Sequence, residues 1–161
     1  MIVLFVPYRI YHTPYFGMIA DPLALFDCCQ ESDGASAIIL TTPERARDLR
    51  QPGVTVCGVA QASAPDQEQM TSFYRDEFAA IPEMEIAAKN VYQMSGLTPD
   101  DIDAAVIYDA FSPIVLWQLE AWNFCGFGES GDFVLDGALR ADGRLPTNTH
   151  GGQLSEAYIH G

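Results

Sequence analysis

Gly96–Phe111 (GLTPDDIDAAVIYDAF) is the stretch whose reading decides the fold. Its first residue ends a helix pattern. Met84, Ala87, Ala88, Val91 and Met94 recur at helical spacing through Pro82–Ser95, and a glycine after such a run is the usual left-handed terminator. Thr98-Pro99-Asp100-Asp101 caps a short turn. Ala104–Tyr108 (AAVIY) then reads as a buried strand, and Ser112-Pro113 caps a long apolar helix to about Phe124. Tyr108 and Asp109 therefore fall where a strand meets a helix start. Ligands of α/β sheets bind at such strand ends, and the helix dipole there favours negative charge. A half-buried aromatic beside a capping carboxylate is the competing reading of the same two letters.

Outward from this stretch the pattern keeps alternating. Ala35–Thr42 (ASAIILTT) is an apolar run of strand length, and Pro43 starts a helix to about Leu49 with Thr42 as its cap. Gly53–Ala60 (GVTVCGVA) alternates and is β-branched, which predicts a second strand. Gln61–Gln69 is a loop, and Met70–Ala80 a helix offering Phe73, Phe78 and Ile81 to the core. Residues 126–152 are turn-rich, with a strand expected at Phe133–Leu135. Residues 1–20 are aromatic-rich, and their pattern assigns no element. Strands and helices in alternation argue for an α/β layered domain over residues 1–161.

Composition bounds the function. The 161 residues carry 22 acidic side chains against 8 basic ones, a net charge of −14, with Lys89 as the one lysine. Such a surface repels a polyphosphate backbone, so nucleic acid is excluded as a partner. Cys28, Cys29, Cys57 and Cys125 fit no zinc spacing, and no metal is expected. They read as reduced thiols of a cytoplasmic protein. The opening Met1–Val6 run is apolar but short, lacks a basic start and meets Pro7, so it is no signal peptide. No run approaches the roughly 20 apolar residues of a membrane span.

Two further motifs remain. Gly126-Phe127-Gly128-Glu129-Ser130-Gly131 matches a dinucleotide fingerprint by letter only. It follows a helix, is expected to precede a strand and contains Glu129, so it is a glycine-rich turn. Asn148-Thr149-His150-Gly151-Gly152 is followed by Ser155, Glu156, Tyr158 and His160. The paired glycines let backbone approach a ligand closely. A polar surface loop is the competing reading.

Taken together, Tyr108-Asp109-Ala110-Phe111 and Gly151-Gly152 with Tyr158 six residues later resemble the thiolase superfamily. Thiolases carry Asn-Glu-Ala-Phe at a strand end, and a Gly-Gly pair followed six residues on by a catalytic histidine. Tyr108 stands where they have the oxyanion-positioning Asn, and Tyr158 where they have that histidine. Gly96–Phe111 is similar to the helix-turn-strand approach of their fold, and Asp27–Leu40 to the opening of their C-terminal half. The resemblance covers about residues 18–161. It implies a thiolase-like layered half, a mixed sheet covered by helices and incomplete at both ends.

The paired tyrosines resemble the steroid side-chain aldolases and thiolase-like lipid-transfer proteins. This resemblance implies a lyase that cleaves a β-hydroxyacyl-CoA thioester by retro-aldol chemistry to a carbonyl product and a shorter acyl-CoA. It implies coenzyme A only as part of the substrate and no permanently bound cofactor. It also implies a homodimer and a partner protein with a zinc ribbon and an OB-fold. Tyr108 is expected as the base and Tyr158 as the acid or enolate stabiliser, with the roles exchangeable. His150 is the expected catalytic neighbour, and Asp109, Gly151, Gly152 and His160 the supporting residues. A thiolase-type acyltransferase (acetyl-CoA acetyltransferase-like) is the alternative enzyme, which the two tyrosines oppose. A non-catalytic lipid-transfer or binding module is the alternative without chemistry.

Overall fold

The computed structural model describes residues 17–68 and 74–159. A small antiparallel pair, β1 (Met18–Ala20) and β2 (Leu23–Ala24), opens them and leads into a 3₁₀ turn at Leu25–Asp27. Five helices follow: α1 (Pro43–Ala46), α2 (Pro82–Ser95), α3 (Ser112–Ala121), α4 (Ser130–Leu135) and α5 (Gly152–Ser155).

The helix expectations hold where local chemistry is strong. Thr42 caps α1, its hydroxyl accepting from the Arg45 amide at 3.4 Å, and Pro43 fills the first turn, but the helix ends at Ala46 and not near Leu49. α2 has the expected bounds, and Gly96 ends it at φ 72°. Of its apolar face Ala88 is buried, whereas Met94 is 61% exposed. Thr98 and Asp101 form a capping box around the 3₁₀ turn Pro99–Asp101. α3 starts at Ser112 as read but ends at Ala121, and its N-cap is Phe111. The Ser112 hydroxyl instead donates to Asp27 Oδ1 at 2.8 Å, tying α3 to the first described segment.

Several strand expectations fail. Ala35–Thr42 and Gly53–Ala60 run without a ladder and with their apolar side chains outward: Ile38 is 86% exposed and Val54 93%. Nothing in the described chain pairs with them, so their β pattern goes unanswered. Phe133–Leu135 is helical, as part of α4. Within Ala104–Tyr108 a parallel bridge joins Ala105 to Thr147, and the rest is extended without a continuous ladder. Of the expected helix Met70–Ala80, residues 70–73 lie outside the described residues and 74–80 form turns and bends. The 126–131 glycine motif opens α4 rather than a strand, and the Gly126 amide is held by Glu129 Oε2 at 3.0 Å.

The core gathers Ile107, Val115, Leu119, Leu139 and Leu145. Phe124, Phe133 and Val134 pack against it from α3's end and from α4. This cluster clamps the extended 104–108 segment between α3 and the 139–147 return, and so fixes where Tyr108 emerges. Among the described residues no helix is long and apolar enough to cross a membrane.

Candidate active site

Tyr108 reaches the site because the segment before it is locked along one edge by the 146–148 return. The Ala105 amide donates to Pro146 O at 3.0 Å, and the Asn148 amide donates to Ala105 O at 2.9 Å. At Asn148 the backbone turns away, with φ 49°. Its side-chain amide takes over the pairing: Oδ1 accepts from the Ile107 amide at 2.7 Å and Nδ2 donates to Ile107 O at 2.8 Å. Asn148 is fully buried, and with both amide ends paired it behaves as one more peptide of the ladder. Gln118 of α3 completes the hold by donating from Nε2 to Tyr108 O at 2.5 Å.

Asp109 links this edge to the paired glycines. It is 1% exposed, and its Oδ1 accepts from the Gln153 amide at 2.7 Å while Oδ2 lies 3.5 Å from the Leu154 amide. Gly152 sits at φ 67°, and a Cβ there would collide with the Asp109 carboxylate. Glycine is thus required twice, for the backbone angle and for the close approach. α5 then delivers Tyr158. A third strip, residues 28–32, stitches both sides: the Cys29 amide donates to Ala110 O and the Ser32 amide to Tyr158 O, each at 2.9 Å.

The outcome is a direct contact between the two tyrosines. Their hydroxyl oxygens are 3.0 Å apart, with ring centroids 6.3 Å apart and planes tilted by 56°. Burial pushes the Tyr108 hydroxyl up to about 12, and the hydrogen bond it shares with Tyr158 adds to that. Tyr108 is therefore a phenol, not a phenolate, at neutral pH. The cysteine thiols nearby move the same way. Burial raises Cys28 and Cys29, and Asp27 raises Cys28 further. Burial also pushes Cys125 up to about 11. Raised thiols are poor nucleophiles.

The other expected site residues fall differently. Gly151 and Gly152 form the turn beneath Tyr158, with Gly151 at φ 114°. His150 sits in the exposed turn just before them. His160 lies outside the described residues. Asn148 stands in the quoted glycine motif and residues 28–32 in the quoted Asp27–Leu40 stretch, but the sequence assigned a site role to neither of them, nor to Gln118. Asn148 carried a usable signal, because an Asn ahead of a Gly-Gly pair tolerates positive φ and can bond backbone with its side chain. Gln118 had none beyond being polar in an apolar helix. Among the described residues no group of three or more His, Cys, Asp or Glu is placed to hold a metal ion.

The family model described as thiolase C-terminal domain-like matches residues 63–160. The steroid side-chain-cleaving aldolase of Thermomonospora curvata is 56% identical over 143 residues, which are 89% of this chain and 37% of that protein. The 17-hydroxy-3-oxo-4-pregnene-20-carboxyl-CoA lyase of Mycobacterium tuberculosis is 55% identical, again over 89% of this chain and 37% of its own length. A solved chain described as the Ltp2-ChsH2(DUF35) aldolase superposes with a TM-score of 0.87 at 55% identity, covering 90% of this chain and 38% of that one. The chain thus spans a little over a third of the length of these relatives.

Proposed function

Because this chain belongs to the thiolase C-terminal domain-like family, we propose that it supplies the acid–base half of a CoA-thioester lyase. The reaction is retro-aldol cleavage of a β-hydroxyacyl-CoA of the steroid side-chain type. The observation that carries this reading is the 3.0 Å contact between the Tyr108 and Tyr158 hydroxyls. Kinship with the aldolase and the pregnene-carboxyl-CoA lyase supports the substrate class.

The chemistry asks for one proton to leave oxygen and one to reach carbon. The β-hydroxyl loses its proton, its oxygen lone pair becomes the carbonyl π bond, and the Cα–Cβ bond breaks. That electron pair passes into the thioester enolate, whose carbon then takes a proton. Two phenols in contact match this demand as a relay. The one facing the β-hydroxyl accepts its proton while handing its own to the other, which returns a proton to the enolate. The raised Tyr108 hydroxyl supports a relay in which Tyr108 starts protonated, in place of a standing Tyr108 phenolate as base. A hydroxyl of the pair also stabilises the enolate oxygen before carbon is protonated.

Coenzyme A enters as part of the substrate in this reading, with no permanently bound cofactor. Free thiols at Cys28, Cys29, Cys57 and Cys125 support a reducing, cytoplasmic setting. A homodimer and a zinc-ribbon/OB-fold partner belong to the same proposal, and the two-component name of the solved aldolase supports the partner.

The test is direct. The native protein that carries this chain is given a β-hydroxyacyl-CoA, and separately an acyl-CoA with free CoA. A carbonyl product with a shorter acyl-CoA in the first mixture supports the lyase. Acyl exchange in the second, without cleavage in the first, supports an acyltransferase. Binding with neither reaction supports a lipid-transfer module.

A further inference from the structure

We infer that Asp109 is the positioning residue that sets the contact between Tyr108 and Tyr158, acting through the backbone amides of Gln153 and Leu154. The inference rests on the two-tyrosine reading but addresses its geometry rather than its substrate. Asp109 is next in the chain to Tyr108, so its backbone belongs to one side of the pair. Its carboxylate is spent on the other side, where Oδ1 accepts from the Gln153 amide at 2.7 Å and Oδ2 lies 3.5 Å from the Leu154 amide. α5 carries those amides and leads to Tyr158. One side chain thus spans the gap between the two segments.

The surroundings leave that carboxylate little freedom. Asp109 is 1% exposed. Gly152 closes over it so tightly that a Cβ there would strike Oδ2 and Cγ. Asn148 fixes Ile107, two residues back, by its paired amide. Displacing the carboxylate therefore moves α5 relative to the Tyr108 edge. A misplacement near 1 Å at a reacting group can cost about 10²-fold in rate. A charge-assisted bond to a backbone amide is short and directional enough to prevent it.

The experiment uses the native protein labelled with ¹³Cζ-tyrosine. The Tyr108 signal is assigned by its loss in Tyr108→Phe, and its titration is followed by NMR alongside turnover. In the unmodified protein Tyr108 should titrate well above an ordinary tyrosine, because burial and the contact with Tyr158 both raise it. In Asp109→Ala the contact opens, so Tyr108 loses the hydrogen-bond part of its rise and titrates lower than in the unmodified protein, while burial still holds it above the ordinary tyrosine value. Turnover then drops about 10²-fold with KM little changed. Asp109→Asn keeps an oxygen for the Gln153 amide, so it holds the Tyr108 titration near that of the unmodified protein and recovers most of the turnover. Gly152→Ala, which drives a methyl into the carboxylate, behaves like Asp109→Ala. A folded Asp109→Ala with an unchanged Tyr108 titration overturns the inference. If Asp109→Ala does not fold, Gly152→Ala decides in its place: a folded Gly152→Ala with an unchanged Tyr108 titration overturns the inference equally. A protein with no lyase turnover but with the predicted titrations refutes the proposed function and leaves the positioning role standing.

Discussion

Ala104–Tyr108 and Gly53–Ala60 are written in the same apolar, β-branched alphabet, yet the structure treats them oppositely. The first is clamped on one face: Ile107 is 7% exposed, Ala105 bridges to Thr147, and Asn148 pairs with Ile107 at both ends of its amide, while Val106 on the other face is 81% exposed. The second lies open, with Val54 93%, Val56 68% and Val59 70% exposed. Ile38, Ile39 and Leu40, between 81% and 86% exposed, share its condition. The difference teaches that a β pattern states a need for partners and does not supply them. The 104–108 segment finds its partner in the 146–148 return of the same chain. The 35–60 strip meets no comparable partner among the described residues.

That contrast predicts unequal costs for equal chemistry. Leu145→Ala and Leu119→Ala, each at a side chain with no exposure, should destabilise by about 2–5 kcal/mol in a denaturant melt. Val54→Ala should stay within about 0.5 kcal/mol, as exposed substitutions do. Equal costs at Leu145 and Val54 would show that the open strip is packed in solution and break the comparison.

A smaller loss is expected at Asn148. Asn148→Ala leaves the Ile107 amide and carbonyl without their side-chain partner, at a cost of about 1–3 kcal/mol. Hydrogen exchange should show the Ile107 amide as the one most accelerated. Slow exchange there in the variant would mean that backbone, not Asn148, holds the edge.

The pair itself adds a pH signature. Tyr108 holds its proton up to about 12 in the fold, against 10 for an ordinary tyrosine. Between those values the unfolded chain ionises and the folded one does not. This contribution is therefore complete below pH 10 and is lost as the pH climbs from 10 through 12. Tyr158→Phe removes the hydrogen-bond cause but not the burial, so it should narrow that window without abolishing it. An unchanged window would place the cause in burial alone.

The least effect on stability, and a visible one on association, is expected in the open strip. Apolar side chains exposed in a run invite self-association. Ile38→Ser with Ile39→Ser and Leu40→Ser should leave the melt of the 104–158 region unchanged while lowering the sedimenting mass of the 161-residue chain. A monomer before and after the changes would contradict that.

The sequence was legible wherever short-range chemistry closes on itself. Pro82–Ser95 carries a proline start, a helical stripe and Gly96, and its bounds were read correctly. The thiolase-like fold and the two-tyrosine site were implied by the resemblance of Tyr108-Asp109-Ala110-Phe111, and of Gly151-Gly152 with Tyr158, to a known family, and not by periodicity. Phe133–Leu135 was misread because a short apolar run fits a buried strand and a helix turn alike. Ser130 tips it to helix by donating to Glu120 Oε1 at 2.6 Å, a link ten residues away in the chain. Ala35–Thr42 and Gly53–Ala60 failed for the reason already given, since their fate depends on partners no local pattern contains. Asn148 and Gln118 were missed because their work is to bond distant backbone, and spacing does not display it.

The most direct test of the central claim is turnover of a β-hydroxyacyl-CoA by the native protein with Tyr108→Phe, Tyr158→Phe and both. Each change removes one hydroxyl from a ring of nearly the same shape, so the melt should hold. Each single change should lower turnover by about 10²–10⁴-fold, and the double change should cost little more than either, because a relay broken once is broken. Cys28→Ala and Cys125→Ala should leave turnover intact. Full turnover in both Phe variants, with a loss in a cysteine variant, would contradict the account and assign the chemistry to a thiol.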